Sequence, residues 1–262
     1  MTRETALITG ASSGLGIAFA ESLAKRGYHL ILTARGAPAM EALASRLREQ
    51  YGADVAVQPA DLSRPQGAAG LVALLDERGL SPSVVVNNAG LGLNDRFIEH
   101  DPDRLAAMLH LNILALTDLT RCYGQRMDAA GAGHILLVAS PAAYMPAPLL
   151  AAYAASKAYV LSLGEALHVE LAPKVGVTVL SPGYMNTGFD AASGFQPTPM
   201  TQRSALAPET VADIGLDALF KGKSSVVAGT ANALAATVAK LLPRGFIARQ
   251  AFKTTGSRYE AP

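Results

Sequence analysis

Near the start of the chain stands Thr5-Ala6-Leu7-Ile8-Thr9-Gly10-Ala11-Ser12-Ser13-Gly14-Leu15-Gly16. Its first five residues form an apolar run without alternation, the pattern of a parallel strand buried on both faces. From Ile17 to Arg26 the spacing predicts an amphipathic helix that ends at Gly27. The loop between them carries three glycines, where an ordinary tight turn would need one. Strand, glycine loop and helix are the parts of a phosphate cradle: the glycines let the backbone turn and approach a pyrophosphate, and the free amides at the helix start stabilise its charge. Gly10, Ser12, Ser13, Gly14, Leu15 and Gly16 are the candidate contacts.

Outward from this unit the same alternation repeats. Tyr28 to Thr33 predicts a second strand, Pro38 to Tyr51 a helix with Met40, Leu43 and Leu47 on one face, and Asp54 to Gln58 a third strand. Arg64 to Arg78 follows as a helix and Ser83 to Val86 as a β-branched fourth strand. Asp103 to Met127 predicts one long helix, His134 to Ala139 a fifth strand, and the run from Pro148 to Leu171 another helix. Gly176 to Leu180 gives a sixth strand, Pro208 to Lys221 a helix, Ser225 to Val227 a seventh strand, and Ala231 to Leu242 a small helix stopped by Pro243. Phe189 to Thr201 is rich in Gly, Pro, Ser and Thr, has no period, and is expected to be a lid-like loop.

The strand exits carry the candidate site residues. Ala34-Arg35 leaves the second strand where an adenosine ribose would arrive. No carboxylate stands there to repel a 2′-phosphate, and the Arg35 fork suits one, which favours NADP over NAD; the alternative is Arg35 as a solvated loop charge. Asp61-Leu62 leaves the third strand, and Asn87-Asn88-Ala89-Gly90 turns sharply after the fourth, as ligand-edge residues or as plain turn formers. Asn112 interrupts the apolar stripe of the long helix, either as a satisfied core amide or as a site residue. Ser140 ends the fifth strand with no Gly-x-Ser-x-Gly around it, so a hydrolase nucleophile is not expected. Tyr153 and Lys157, four apart, share a helix face. A free phenol is only about 0.1% ionised at pH 7, and a neighbouring ammonium would lower its pKa, so the pair suggests proton transfer. Alone the pair is weak evidence, because the spacing arises by chance in many helices.

Composition bounds the rest. The 262 residues carry 22 basic and 21 acidic side chains, formal net charge +1, which gives no electrostatic footprint for nucleic acid or an anionic membrane and leaves a small-molecule partner. Cys122 is the single cysteine, so no intrachain disulfide or cysteine zinc cluster is expected, and a reducing, cytoplasmic location follows. The five histidines show no metal-ligand spacing, so no metal is expected. The Ala-rich run from Val226 to Leu242 is too short and too interrupted to insert through a bilayer, and the amino terminus lacks the apolar stretch of a signal peptide.

Taken together, Thr9 to Gly16, Asp61-Leu62, Asn87 to Gly90, Asn112, Ser140, Tyr153 with Lys157, and Pro182-Gly183 with Thr187 resemble the short-chain dehydrogenase/reductase family, subtype with the Thr-Gly-x-x-x-Gly-x-Gly loop, over roughly the first 70% of the chain. The resemblance implies an α/β, Rossmann-type doubly wound parallel seven-stranded sheet in three layers, strand order 3-2-1-4-5-6-7, as a single domain over 1–262 with a substrate loop about 188–207 and a variable segment about 229–262. It implies an oxidoreductase acting on CH–OH donors, with Tyr153 as general acid or base, Lys157 on the nicotinamide ribose and lowering the phenol's pKa, Ser140 polarising the substrate oxygen, and Asn112 holding a relay water. The cofactor set extends to Asn88, Ala89, Gly90, Pro182, Gly183, Met185 and Thr187, and NADP(H) is expected over NAD(H). Pro141, Tyr144, Met145, Pro146 and Pro148 would wall an apolar pocket, and Tyr184, Met185, Phe189 and Phe195 would close it, or these are ordinary packing residues. A homodimer or homotetramer built on the two long helices is expected. The alternative is a regulatory protein that binds NADP without turnover, against which the intact Asn-Ser-Tyr-Lys set argues.

Overall fold

Why these segments become sheet and helices follows from where their apolar residues must go. Seven short runs with little polar interruption can be buried only if both faces of the sheet are covered. The computed structural model describes residues 4–255, and its strands are β1 (Thr5–Thr9), β2 (His29–Thr33), β3 (Val55–Val57), β4 (Val84–Asn87), β5 (Gly133–Val138), β6 (Val175–Ser181) and β7 (Ser225–Val227). All pair in parallel in the order β3-β2-β1-β4-β5-β6-β7. The order reverses between β1 and β4, which opens a crevice at their carboxyl ends.

Helices cover both faces. On one side α1 (Gly14–Lys25), α2 (Ala37–Tyr51) and α9 (Pro208–Phe220) close a core around Ile8, Phe19, Leu23, Leu32, Leu136 and Leu216. On the other α3 (Gly67–Glu77), α5 (Leu116–Ala130) and α6 (Ala151–Glu170) close a core around Leu7, Ile31, Leu71, Tyr123, Leu137 and Val179. Adjacent residues of each strand therefore serve opposite cores, as Leu7 and Ile8 do.

Four expectations need correction. The long helix is not uniform: α4 (Pro102–Leu109) passes into α5 through a π-helical segment, His110–Ala115, that contains Asn112. The wider turn leaves the Asn112 side chain fully buried beside the sheet. The helix expected from Arg64 begins only at Gly67, because Ser63 and Arg64 are held in a turn by Asp61. The stretch read as an aperiodic loop contains two single-turn helices, α7 (Phe189–Ser193) and α8 (Pro199–Arg203), the second capped by Thr198. Past Pro243, where a stop was expected, α10 (Thr230–Leu241) is followed by α11 (Arg244–Thr255).

Phe19 is wholly buried where α1 meets the sheet. Phe19→Ala should cost about 3–5 kcal/mol of stability in urea unfolding. A loss under about 1 kcal/mol would show that the α1 face is not tightly packed.

Candidate active site

Because every strand is parallel, the segments that leave β1, β2, β3, β4, β5 and β6 emerge at one edge of the sheet. That edge gathers the sequence-predicted residues: Gly10 to Gly16 after β1, Arg35 after β2, Asp61-Leu62 after β3, Asn88 to Gly90 after β4, Ser140 after β5, and Pro182 to Thr187 after β6.

The β1 exit has the shape of a cradle. Gly10 and Gly14 adopt φ of +69° and +50°, and a Cβ on Gly16 would collide with the Gly10 carbonyl, so the loop and helix approach as closely as glycine allows. The start of α1 receives no side-chain cap from Ser13, which leaves backbone donors for an anion. Thr187 stands over this loop: a Cβ on Gly14 would lie 3.2 Å from its methyl-bearing carbon. Thr9, which sequence reading did not single out as a site residue, ties the cradle to the next strand. Its hydroxyl donates to the Val86 carbonyl at 3.3 Å and accepts the amides of Asn88 and Ala89 at 3.0 and 2.9 Å. Asn88 Nδ2 donates back to the Thr9 carbonyl at 2.9 Å. Asn87 instead bonds Thr120 on α5. The available signal was a hydroxyl residue at the last position of an otherwise apolar strand.

Farther along the edge, Arg35 is exposed and has no hydrogen-bond partner among the described residues. Asp61 is held below the usual carboxylate range, chiefly by the Ser63 hydroxyl, with Arg35 and Arg64 adding weaker fields. Leu62 is buried in the core beside it. Gly183 lies against Asn232 of α10, where a side chain would not fit, and Met185 packs on the α1 and α9 core.

The polar centre lies around α6. Lys157 is buried at 4% exposure and donates one bond, to the Val138 carbonyl at 2.8 Å. Its Nζ stands 5.8 Å from the Tyr153 ring centroid. Burial pushes the Lys157 ammonium down to about 8, still cationic at pH 7. The Tyr153 phenol is raised by burial and pulled back by the Ser140 hydroxyl. The expected lowering by Lys157 therefore needs correction: in this arrangement the ammonium is turned to the Val138 carbonyl, and Ser140 provides the opposing effect. Asn112 is fully engaged through its amide nitrogen, donating to the Leu91 carbonyl at 2.9 Å and to Ser156 Oγ at 3.1 Å, while Oδ1 accepts the Leu91 amide. A Cβ on Gly90 would stand 3.3 Å from Lys157 Nζ and 3.4 Å from Asn112 Oδ1, so both atoms border one small space that glycine leaves open.

Of the expected pocket walls, Tyr144 is a core residue, sharing a bond with Ser181 at 3.4 Å. Phe189 on α7 reaches Tyr153, with ring centroids 5.7 Å apart, and presses on Gly92. Tyr184 and Phe195 pair with each other, and Tyr184 donates to Asp190 at 2.6 Å. Asn94 anchors this segment by bonds to the Ser193 and Gly194 carbonyls. Among the described residues no cluster could hold a metal ion, and no helix is long and apolar enough to cross a membrane.

A nicotinamide nucleotide fits these features on two counts: the glycine cradle admits a pyrophosphate where any Cβ would intrude, and a buried ammonium with one partner retains donors for ribose hydroxyls. The Lys157 shift also fixes a pH dependence. Between about 8 and its ordinary value of 10.5 the unfolded chain keeps a proton that the folded chain has lost. Stability of the nucleotide-free protein should therefore rise by about 1–3 kcal/mol from pH 8 to 10. Above pH 10 the raised phenols act in the opposite sense. Urea unfolding against pH measures this, and Lys157→Met should flatten the rise; an equal rise in that variant would contradict the assignment.

A family model described as short chain dehydrogenase matches residues 4–196, from β1 through α7. The 11-beta-hydroxysteroid dehydrogenase A of Arachis hypogaea is 31% identical over 240 residues, which cover 91% of this chain and 65% of that protein's length. A short-chain dehydrogenase from Sphingobium yanoikuyae in complex with NADPH superposes with a TM-score of 0.80 at 30% identity, covering 93% of this chain and 94% of that one. A short chain dehydrogenase/reductase from Burkholderia phymatum in complex with NAD gives 0.79 at 27% identity, covering 90% and 92%. The match takes in the glycine cradle, the Thr9 tie and the α6 pair alike, and the chain belongs to the short-chain dehydrogenase family.

Proposed function

We propose that the chain, as one domain over residues 1–262, is an NADP(H)-dependent oxidoreductase acting on the carbonyl or secondary alcohol of a small, fairly apolar substrate in the cytoplasm. The observation that carries this reading is the α6 pair: Tyr153 and Lys157 one turn apart, the ammonium 5.8 Å from the phenol ring, beside the end of β5 where Ser140 stands. A pure binding module has no use for a proton donor placed so.

A bound nicotinamide would supply the hydride exchanged with the substrate carbon. The chain's part is to hold and to protonate. Gly10, Ser12, Ser13, Gly14, Leu15 and Gly16 would receive the pyrophosphate, Thr187 the same end of the nucleotide, and Asp61, Leu62 and the Asn88–Gly90 turn its nucleoside portions. Pro182, Gly183 and Met185 would back the nicotinamide. Lys157 would spend its remaining N–H donors on ribose hydroxyls. When charge grows on the substrate oxygen, the Ser140 hydroxyl would stabilise it and the Tyr153 hydroxyl would deliver its proton. Lys157 and Asn112 Oδ1, facing the space beside Gly90, would let a water return that proton from solvent. Burial keeps the Tyr153 phenol protonated, the form that donates in the reductive direction.

Phe189 over Tyr153, with half-buried Pro141 and Met145, supports an apolar substrate. The exposed Leu114, Tyr159 and Val169 on the outer faces of the long helices support assembly of two or four copies there.

Tyr153→Phe removes only the transferable proton, so turnover should fall at least about a hundredfold while nucleotide binding, followed by fluorescence, holds. Activity within about tenfold of the parent would exclude the role. For cofactor choice, Arg35 free at the β2 exit predicts tighter NADPH than NADH, by roughly tenfold to a hundredfold for one charge-assisted contact. Tighter NADH binding, or an unchanged ratio in Arg35→Ala, would show that Arg35 is a surface charge.

A further inference from the structure

The helix α10 is inside out. The face of α10 turned to the protein carries alanines, Ala236 and Ala239, whereas the solvent face carries Leu234, Val238 and Leu241, spaced four and three apart along one stripe. Leu234 is 67% exposed and Leu241 80%. The stripe continues through Leu242 into α11, where Phe246 is exposed while Ile247 is buried. A helix that packs only against its own chain has the opposite pattern. On α11 the residues three and seven after Phe246 are Arg249 and Lys253, both exposed, and Arg244 opens the helix.

Charge in this segment is as one-sided as its hydropathy. Residues 229–255 hold four of the chain's 22 cations, Lys240, Arg244, Arg249 and Lys253, and none of its 21 carboxylates. The whole-chain balance of +1 hides this asymmetry. Lys240 lies 5.0 Å from the Tyr144 ring centroid. Arg244, Arg249 and Lys253 have no ion pair or hydrogen bond to any described residue.

We propose that the outward faces of α10 and α11 dock on an anionic lipid surface, the apolar stripe entering the interface and the three unpaired cations meeting the headgroups. Exposed leucines next to unpaired cations are what such a surface takes up from a helix that lies on it. Nucleic acid would use the cations and leave the leucines in water. A second copy on a two-fold axis would bury the leucines but double the cations at the seam, with no carboxylate in residues 229–255 of either copy to pair them. Docking would also bring a lipid surface close to the ligand edge, because α10 packs on the Pro141–Tyr144 turn just after Ser140 and Asn232 crowds Gly183.

Sedimentation of the full chain with large vesicles tests this, using pure phosphatidylcholine against an equal mixture of phosphatidylcholine and phosphatidylglycerol. Three unpaired cations predict about a hundredfold stronger binding to the mixed vesicles at low salt, and the gain should shrink in high salt. Leu241→Gln with Leu242→Gln, and separately Arg249→Glu with Lys253→Glu, should each abolish most of the binding while thermal unfolding is unchanged, since these side chains are exposed. Failure of the parent chain to sediment with the mixed vesicles would overturn the proposal. So would unaltered sedimentation of both variants, or a Leu241/Leu242 variant whose only change is loss of self-association in light scattering, since a second copy would then cover the face.

Discussion

One buried hydroxyl holds the ligand edge in shape. Thr9 ends the central strand β1, and its Oγ1 engages three backbone groups of β4 and the turn beyond it while Asn88 returns a bond to the Thr9 carbonyl. A side-chain hydroxyl is needed because the strand ladder stops here: Ile8 still pairs with Val86, and beyond it the two chains part to form the crevice. Without the tie, the amide of Ala89 would be left unsatisfied at the floor of the site, at about 1–3 kcal/mol, and that of Asn88 would keep only the Val86 carbonyl at 3.0 Å. With it, Gly10 is fixed so close to Asn88 that a Cβ there would stand 2.9 Å from Asn88 Nδ2. The cradle and the Asn88–Gly90 turn are therefore one rigid piece.

The second half of the site is fixed from α6. Lys157 reaches the Val138 carbonyl, one residue before the β5 exit, and Ser156 bonds both Asn112 and the Tyr153 carbonyl. Asn112 in turn grips Leu91 from both sides of its peptide backbone. A chain of buried polar contacts thus runs from α6 through the π-helical segment to the β4 exit and meets the Thr9 tie. Each member depends on the next for satisfaction, which makes the arrangement stiff and intolerant of single deletions. Lys157 is the member whose charge burial disfavours, and it is the one with donors left over.

Much of this was legible in the sequence because it rests on local chemistry. Glycines at 10, 14 and 16 after an unbroken apolar run have few other uses, and the four-residue spacing of Tyr153 and Lys157 survives into structure because a helix preserves it. What escaped reading depends on partners distant in sequence. The π-helical turn at Asn112 is set by the Leu91 backbone, 21 residues away, and leaves the apolar stripe of the long helix almost undisturbed. The turns of α7 and α8 form in a segment of poor helix formers; Asn94, nearly a hundred residues earlier, pins the end of α7, and Thr198 caps α8. Proline stops a helix, which predicts an end at Pro243, yet proline is equally at home just before one begins, and α11 starts at the next residue. For Tyr144 the sequence leaves a pocket wall and ordinary packing both open, and the short helical turn from Pro141, which swings it into the core, decides for packing.

The central claim is that the edge moves hydride rather than only holding a nucleotide. Incubation with NADPH carrying deuterium at the transferable position of the nicotinamide, against a panel of apolar ketones, tests it by mass spectrometry of the product alcohol. The account predicts deuterium on the carbinol carbon of at least one product. Tight NADPH binding with no label passed to any carbonyl in the panel, and none recovered from the corresponding alcohols in the reverse direction, would contradict it.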